Sequence, residues 1–457
     1  MRFLFALWAA KLARFVMRAM RYNGTNYPGE LALRICPYFL SRIGKPGTII
    51  AVTGTNGKTT VSNLLCDVLE QSGQKVLNNR AGSNIASGIA TSLLTGSTLF
   101  GRTKYKIAVL EVDERSSLRI YPYVKPDFIV ITNLFRDSIM RNAHPAYIAD
   151  VLTKAIPDTA KIIVNADDLI SCRVAPDNER VFFGIARMDT DILECENLIN
   201  DMRICPDCQG ELEYDYLRYH HIGRAHCKEC GFCSPDYDYC AENVNMTDMT
   251  MTVRDRESGC EYRLISDSVF NIYNMVSAVA VLRELGMPHD SIAAYMSEMR
   301  IVETRYSVEE VGGVRIVMQM AKEKNALACS RAFDYVAGQE GEKELLLMMN
   351  CLGDAENWSE NTCWLYDCDF EFLNRDNITR IVVTGPRALD YRLRLMLAGV
   401  PEERIVCVSD EFLAVEALSC TPGESIYLFY GADSLALARR VHEKVLGTVR
   451  EKTSNEN

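Results

Sequence analysis

One heptapeptide constrains this chain more than anything else in it: Gly54-Thr55-Asn56-Gly57-Lys58-Thr59-Thr60, set directly after the apolar run Thr48 to Val52. Glycines let backbone N–H groups wrap an anion with no Cβ in the way. A lysine adds a compact positive charge, and the hydroxyl after it can ligate Mg²⁺. The next stretch carries Leu64, Leu65, Val68 and Leu69 at helical spacing, so the positive end of a helix dipole points at the same place. Strand, loop and helix in this order predict a nucleotide-phosphate site at residues 54–60. The loop is short: only Thr55 and Asn56 separate Gly54 from Gly57, where the common pattern has a longer run before its Gly-Lys pair. The plain alternative is a simple turn before a helix.

A chain of 457 residues, 48% of them hydrophobic, has room for roughly three domains with sizeable cores. Continuous apolar runs at 48–53, 106–112, 128–132 and 161–164 alternate with helical patterns, which predicts a parallel sheet covered on both faces. The fold class is therefore α/β, doubly wound, with the loop at its first strand. The pattern stops near 195 and resumes with helices at about 270–285 and 289–300. Strand candidates at 314–318, 344–349, 379–384, 404–408 and 425–430 make a second, smaller α/β domain. The expected boundaries are a basic helical segment at 1–45, a nucleotide-binding domain at 46–302 with an insert at about 200–240, a C-terminal domain at 303–450, and a frayed polar tail at 451–457.

The net charge of −11 argues against nucleic acid as a partner. Seventeen cysteines beside a nucleotide loop point to a reducing, cytoplasmic setting, with thiols or metal ligands and not disulfides. The N-terminus departs from the acidic balance. Residues 1–22 carry Arg2, Lys11, Arg14, Arg18 and Arg21 and no acid, and the apolar run Phe3 to Ala10 is too short to span a bilayer. Lys11, Arg14, Arg18 and Arg21 share one helical face. Such a helix either lies on an anionic membrane surface or packs on the next domain with its cations in water.

Seven cysteines fall between Cys195 and Cys240. Cys205-Pro-Asp-Cys208 and Cys227-Lys-Glu-Cys230 lie eighteen residues apart, the spacing of a four-thiolate zinc ribbon. Gly210 and Gly231 follow the two turns, where backbone N–H groups can face sulfur. Four closed positions predict a structural Zn²⁺ site. A redox pair is the alternative, and Cys233, His220, His221 and His226 read as surface or packing residues. Glu111, Asp113 and Glu114 follow a strand and reach the edge where a ligand sits, so an acid among them can take Mg²⁺. Asn165-Ala166-Asp167-Asp168 follows a strand in the same way. Asn271 and Asn274 open a helix, to read an adenine edge or to cap the helix.

Gly54–Thr60, Glu111–Ser116, Thr132–Asp137, Asn165–Asp168 and Phe270–Asn274 together resemble the Mur ligase superfamily. With the cysteine insert and Trp364-Leu365-Tyr366-Asp367, the chain resembles its MurT family. That resemblance implies an ATP-dependent carbon–nitrogen ligase of peptidoglycan synthesis. The α-carboxylate of D-glutamate in the lipid II stem peptide, or a related muropeptide, would be activated by ATP and amidated to D-isoglutamine. Ammonia would come from a GatD-like class I glutaminase subunit in a heterodimer, at the inner face of the cell membrane. Lys58 would be catalytic, Thr59 and Glu114 would hold Mg²⁺, and Asn271 and Asn274 would lie near adenine. One position departs. The family carries an aspartate three residues before the tryptophan, completing the partner's Cys-His pair, and here Asn361 stands in that place. Asp354, Glu360 or Asp367 could substitute, in a loop longer than the family pattern. A Mur-type ligase adding an amino acid to a cell-wall precursor is the alternative function, and a nucleotide-binding homologue that has lost glutaminase activation is a third.

Overall fold

The computed structural model describes residues 1–22, 24–80, 83–136, 144–299, 306–321, 325–349, 362–431 and 434–455. The chain forms two compact units. The first comprises Met1–Leu134, His144–Glu196 and Asn200–Ile301, and the second Phe135–Ala143, Asn197–Ile199 and Val302–Asn457.

The first unit is built on strands β1 (Thr48–Thr53), β2 (Val76–Asn78), β3 (Ile107–Glu111), β4 (Phe128–Ile131), β5 (Lys161–Asn165), β6 (Arg180–Ile185), β7 (Leu212–Tyr219), β8 (Ile222–Cys227), β9 (Tyr239–Asn245), β10 (Thr250–Arg254) and β11 (Gly259–Arg263). Nine of them make one sheet in the order β11-β10-β9-β6-β5-β4-β1-β3-β2, with β7 and β8 a separate hairpin. Strands β2 to β6 and β9 run parallel with β1, and β10 and β11 close the edge antiparallel. Val- and Ile-rich β1, β4 and β5 are buried almost throughout, as a sheet with both faces covered demands. Helix Val269–Glu284 is buried continuously from Ile272 to Leu282, so it has no polar face to show. Edge strands β9 to β11 extend the sheet beyond the alternation seen in sequence. Their side chains alternate between inside and outside, with Glu242, Asn243 and Asn245 on β9, so no continuous apolar run marks them.

The second unit holds β12 (Tyr306–Val311), β13 (Val314–Met320), β14 (Lys343–Met348), β15 (Ile378–Thr384), β16 (Ile405–Val408) and β17 (Ser425–Tyr430) in the order β12-β13-β17-β14-β15-β16. Only β12 is antiparallel. Central β14 buries Glu344, whose carboxylate accepts from the Ser419 amide at 2.8 Å and pairs with Arg380 at 3.2 Å. Within the stretch read as a frayed polar tail, residues 451–455 are helical. Helix Leu435–Asn455 runs through it, seating Val441, Val445 and Val449 in the core, and Lys452 donates to the Leu418 carbonyl.

Candidate active site

Strand β1 lies between β3 and β4, so the chain leaves β1 where the strand order reverses, the usual ligand crevice of such a sheet. Gly54 has φ +121° and Gly57 φ +89°, a region that L side chains rarely adopt. A Cβ on Gly54 would collide with Thr132, and one on Gly57 with the Asn274 amide. The end of β4 braces the loop from below. The Thr55 amide donates to the Asn133 carbonyl at 2.8 Å, and the Asn56 amide to Asn133 Oδ1 at 3.1 Å. Thr132 Oγ1 donates to the Asn56 carbonyl at 2.6 Å. Asn56 Nδ2 is buried and has no hydrogen-bond partner among the described residues. An orphaned buried donor beside a glycine cradle fits an incoming phosphate oxygen.

Lys58 Nζ donates to the Gly54 carbonyl and to Glu114 Oε1, the latter at 2.9 Å, and the Gly54 amide reaches the same carboxylate oxygen at 3.0 Å. Burial works against the lysine's charge, but Glu114 outweighs it and holds the lysine above its ordinary value. Burial raises the Glu114 carboxyl, with Lys58 opposing. Thr59 Oγ1 donates to Glu111 Oε2 at 2.8 Å, and Asn84 Nδ2 steadies the other Glu111 oxygen at 3.1 Å. The structure thus sets Glu111 against Thr59 and Glu114 against Lys58, where the sequence had put Glu114 beside Thr59. Glu111 ends β3, whereas Glu114 lies in the turn after it, where its carboxylate meets the Gly54 amide. Asp113 caps its own turn, accepting from the Ser116 amide at 3.0 Å. Asn274 Nδ2 donates to Asn271 Oδ1 at 3.2 Å, one helical turn away, and the helix's N-cap is Ser268. Thr59 with Glu111 is the pair that could hold Mg²⁺ at this loop.

Asp167 and Asp168 are fully committed inside the protein. Asp167 accepts from Arg218 at 2.9 Å and from the hydroxyls of Tyr237 and Tyr273, both at 2.6 Å. Arg218, on β7, also pairs with Asp191 at 3.0 Å and is 3% exposed. Asp168 accepts from the Leu134 amide at 2.7 Å and contacts His221 Nε2 at 3.2 Å. Sequence reasoning missed this cluster, because Arg218 sits in an ordinary Leu-Arg-Tyr run with no spacing signal.

The four cysteines converge. All four Sγ atoms lie within 4.8 Å of one another, with Cys205 to Cys230 and Cys208 to Cys227 at 3.5 Å. Metal–sulfur bonds of ~2.3 Å make a tetrahedron whose edges are ~3.8 Å, so the cluster fits one Zn²⁺. Each knuckle is closed by its own backbone. The Cys205 amide donates to the Gly210 carbonyl and the Cys227 amide to the Phe232 carbonyl, both at 2.7 Å, and the Gly210 amide faces Cys208 Sγ at 3.4 Å. His226 pairs with Asp215 at 3.0 Å, and His220 and His221 are buried outside the cluster.

Asn361, Asp354 and Glu360 lie outside the described residues. Asp367 is described and stands 3.6 Å from Arg136. The segment around it is anchored: Trp364 is buried edge-on to Tyr391, and Arg394 donates to the carbonyls of Leu365 and Cys368, both at 2.8 Å.

Comparison with known proteins follows the same outline. The family described as Mur ligase middle domain matches residues 52–200, and that described as MurT ligase C-terminal matches 323–432. Over 404 residues the chain is 31% identical to the lipid II isoglutaminyl synthase (glutamine-hydrolyzing) subunit MurT of Staphylococcus aureus (strain COL), covering 88% of this chain and 89% of that protein. The chain belongs to the MurT family. The corresponding MurT subunit of Streptococcus pneumoniae is 30% identical over 414 residues, with the same two coverages of 88% and 89%. The MurT-family chain also shares its fold with a pseudomurein peptide ligase type C from Methanothermus fervidus (TM-score 0.67, 20% identity, 89% of this chain and 80% of that one). A MurF ligase from Thermotoga maritima in complex with ADP is similar in fold as well (TM-score 0.57, 16% identity, 94% and 85%).

Proposed function

We propose that this chain is the ATP-dependent ligase subunit of a lipid II isoglutaminyl synthase, amidating the α-carboxylate of D-glutamate in the lipid II stem peptide. The observation that carries this reading is the braced loop itself, with Lys58 against Glu114 and Thr59 against Glu111, in a chain whose likeness to MurT subunits spans 88% of its length. Bound MgATP supplies the phosphoryl group that turns a carboxylate oxygen into a leaving group. Lys58 neutralises charge on that group, the Gly54–Thr60 amides and Asn56 Nδ2 hold its oxygens, and Thr59 and Glu111 take the Mg²⁺. Glu114, which accepts from Lys58 and the Gly54 amide, would serve as a second ligand for the metal. Asn271 and Asn274, at the start of helix Val269–Glu284 and with Asn274 against Gly57, would lie near the adenine. Zn²⁺ in the Cys205, Cys208, Cys227 and Cys230 site holds the insert and takes no part in the chemistry.

Ammonia comes from a glutaminase partner of the GatD kind that meets the 351–367 loop. Asn361 can orient the partner's histidine through its amide oxygen but cannot stabilise a protonated ring as a carboxylate does. The test is amidation of lipid II measured with ammonium and with glutamine, with and without the partner. Ammonium should support the reaction by this chain alone, and glutamine only in the complex. Asn361→Asp should raise the glutamine-fed rate and leave the ammonium-fed rate unchanged. No amide product from ammonium, MgATP and lipid II would overturn the proposal.

A further inference from the structure

The N-terminal helix, Arg2–Ala19, is seated the opposite way round from an ordinary packed helix. Its buried residues are small or few: Ala6, Leu7 and Ala10. Phe3 and Leu4 pack partly against the core, but the other bulky apolar residues face outwards. Phe5, Trp8, Leu12, Phe15 and Val16 are all exposed, Phe15 by 70%. Their spacing of three and four places them on a single stripe roughly 100° wide. The stripe continues off the helix. Trp8 Nε1 donates to the Leu99 carbonyl at 2.8 Å, and Leu99 and Phe100 are themselves exposed, Phe100 by 73%. Lys11, one of the four cations that share a helical face, is turned inwards, donating to the carbonyls of Leu94 at 2.6 Å and Ser97 at 2.8 Å. Burial, with Lys104 and Arg14 nearby, lowers its pKa.

The rim of this stripe is cationic. Arg18, Arg21, Arg102 and Lys104 are exposed around it, and neither residues 1–29 nor residues 92–110 contain an acid. In a chain of net charge −11 that separation is a local device. No helix among the described residues is long and apolar enough to cross a membrane, so the helix can only lie on one. We propose that the outer face of helix Arg2–Ala19, with Leu99 and Phe100, docks on an anionic lipid bilayer. Aromatic and leucine side chains enter the headgroup boundary while the arginines and Lys104 stay among the phosphates. A second protein would need its own apolar face ringed by acids to match this surface, whereas an anionic bilayer presents both at once. The inference deepens the function proposed above, since a lipid-linked substrate is met at such a surface. Its support is this surface, and no residue of the phosphate loop enters it.

The test is flotation of the full-length chain with phosphatidylcholine vesicles, with and without one-third phosphatidylglycerol, in the absence of substrate. The wild type should float with the anionic vesicles, and Trp8 emission should shift to the blue, a signal that Trp8→Phe removes. The triple variant Phe5→Ser, Leu12→Ser, Phe15→Ser alters only exposed positions and should bind at least about tenfold more weakly. Arg18→Glu with Arg21→Glu should abolish the preference for anionic lipid. Lys58→Ala should bind vesicles like the wild type, which separates failure of this proposal from failure of the catalytic one. The proposal is overturned if the wild type stays unbound, or if the triple variant binds equally well. It is also overturned if that variant loses self-association or its glutaminase partner, which would make the stripe a protein interface.

Discussion

The phosphate loop and the cysteine knuckles each place a few charged or polar atoms around a ligand, and they are held in opposite ways. At Gly54–Thr60 the polypeptide braces itself. Thr132, Asn133 and Glu114 bond the loop's own backbone, and Lys58 already has its counter-ion. At Cys205–Cys230 the backbone closes each knuckle separately and one amide, that of Gly210, faces Cys208 Sγ, but no cationic side chain among the described residues sets the four sulfurs against a counter-charge as Glu114 does for Lys58. An anion site can be pre-formed from amides and glycines. A site of four thiolates repels itself until a cation arrives. The difference teaches which ligand is structural: the loop should keep its shape when emptied, and the insert should not.

Metal removal should separate them most. Stripping with a strong chelator, or Cys227→Ser, should unfold the insert. Metal-coupled folding in small zinc modules is worth ~10 kcal/mol or more. Elemental analysis should fall from one zinc per chain to none, with loss of protease resistance between Cys195 and Cys240. A metal-free chain with an intact insert would break the comparison. Removing nucleotide and Mg²⁺ should leave the loop's hydrogen exchange little changed.

Lys58→Ala comes next. It should cost on the order of 10²–10³ in the ammonium-fed rate, the usual effect of losing one preorganised charge stabiliser. A wild-type rate would place the nucleotide somewhere else.

Paired glycine substitutions sharpen the contrast. Gly57→Ala must hold a left-handed conformation and displace Asn274, so it should lose more than the ~1–2 kcal/mol of backbone strain alone, read as a shift in urea midpoint. Gly231 has φ +74° but nothing within 4 Å of an added Cβ, so Gly231→Ala should cost the strain and no more. Equal costs would mean that the loop is as open as the knuckle.

The smallest effect is on pH. Burial raises the Glu114 carboxyl in the folded chain. A raised carboxyl contributes stability that is complete below its unfolded value, about 4.3, and lost as pH rises through the folded value. Lys58→Met removes the opposing charge, so Glu114 should titrate higher than in the wild type, and stability should decline over a wider range above pH ~4.3. A carbon-13 titration of Glu114 that does not move would show that the pair is not coupled.

Much of this was legible because it is local. Gly54–Thr60 and the two Cys-x-x-Cys turns need only a few neighbouring residues to state their chemistry, and apolar β1, β4 and β5 announce a buried parallel sheet. What escaped depends on partners far along the chain. Glu111 and Glu114 are both acids at the end of one strand, and only folding decides which meets Thr59 and which meets Lys58. Strands β9 to β11 were hidden by their polar outer face. The N-terminal helix was read by its cations, because sequence cannot tell that Phe3, Ala6, Leu7 and Ala10 seat it while Phe5 and Phe15 stay outside.

The Arg218 cluster has a consequence for how the chain can be made. Asp167 leaves the ribosome 51 residues before the arginine that neutralises it. A carboxylate buried with its partner missing costs ~3–5 kcal/mol. The nascent sheet therefore cannot close over Asp167 until the cysteine hairpin has been synthesised and folded back. A truncation that trims only the hairpin β7–β8 would leave every strand of the nine-stranded sheet in place and still strand one negative charge just past the end of β5.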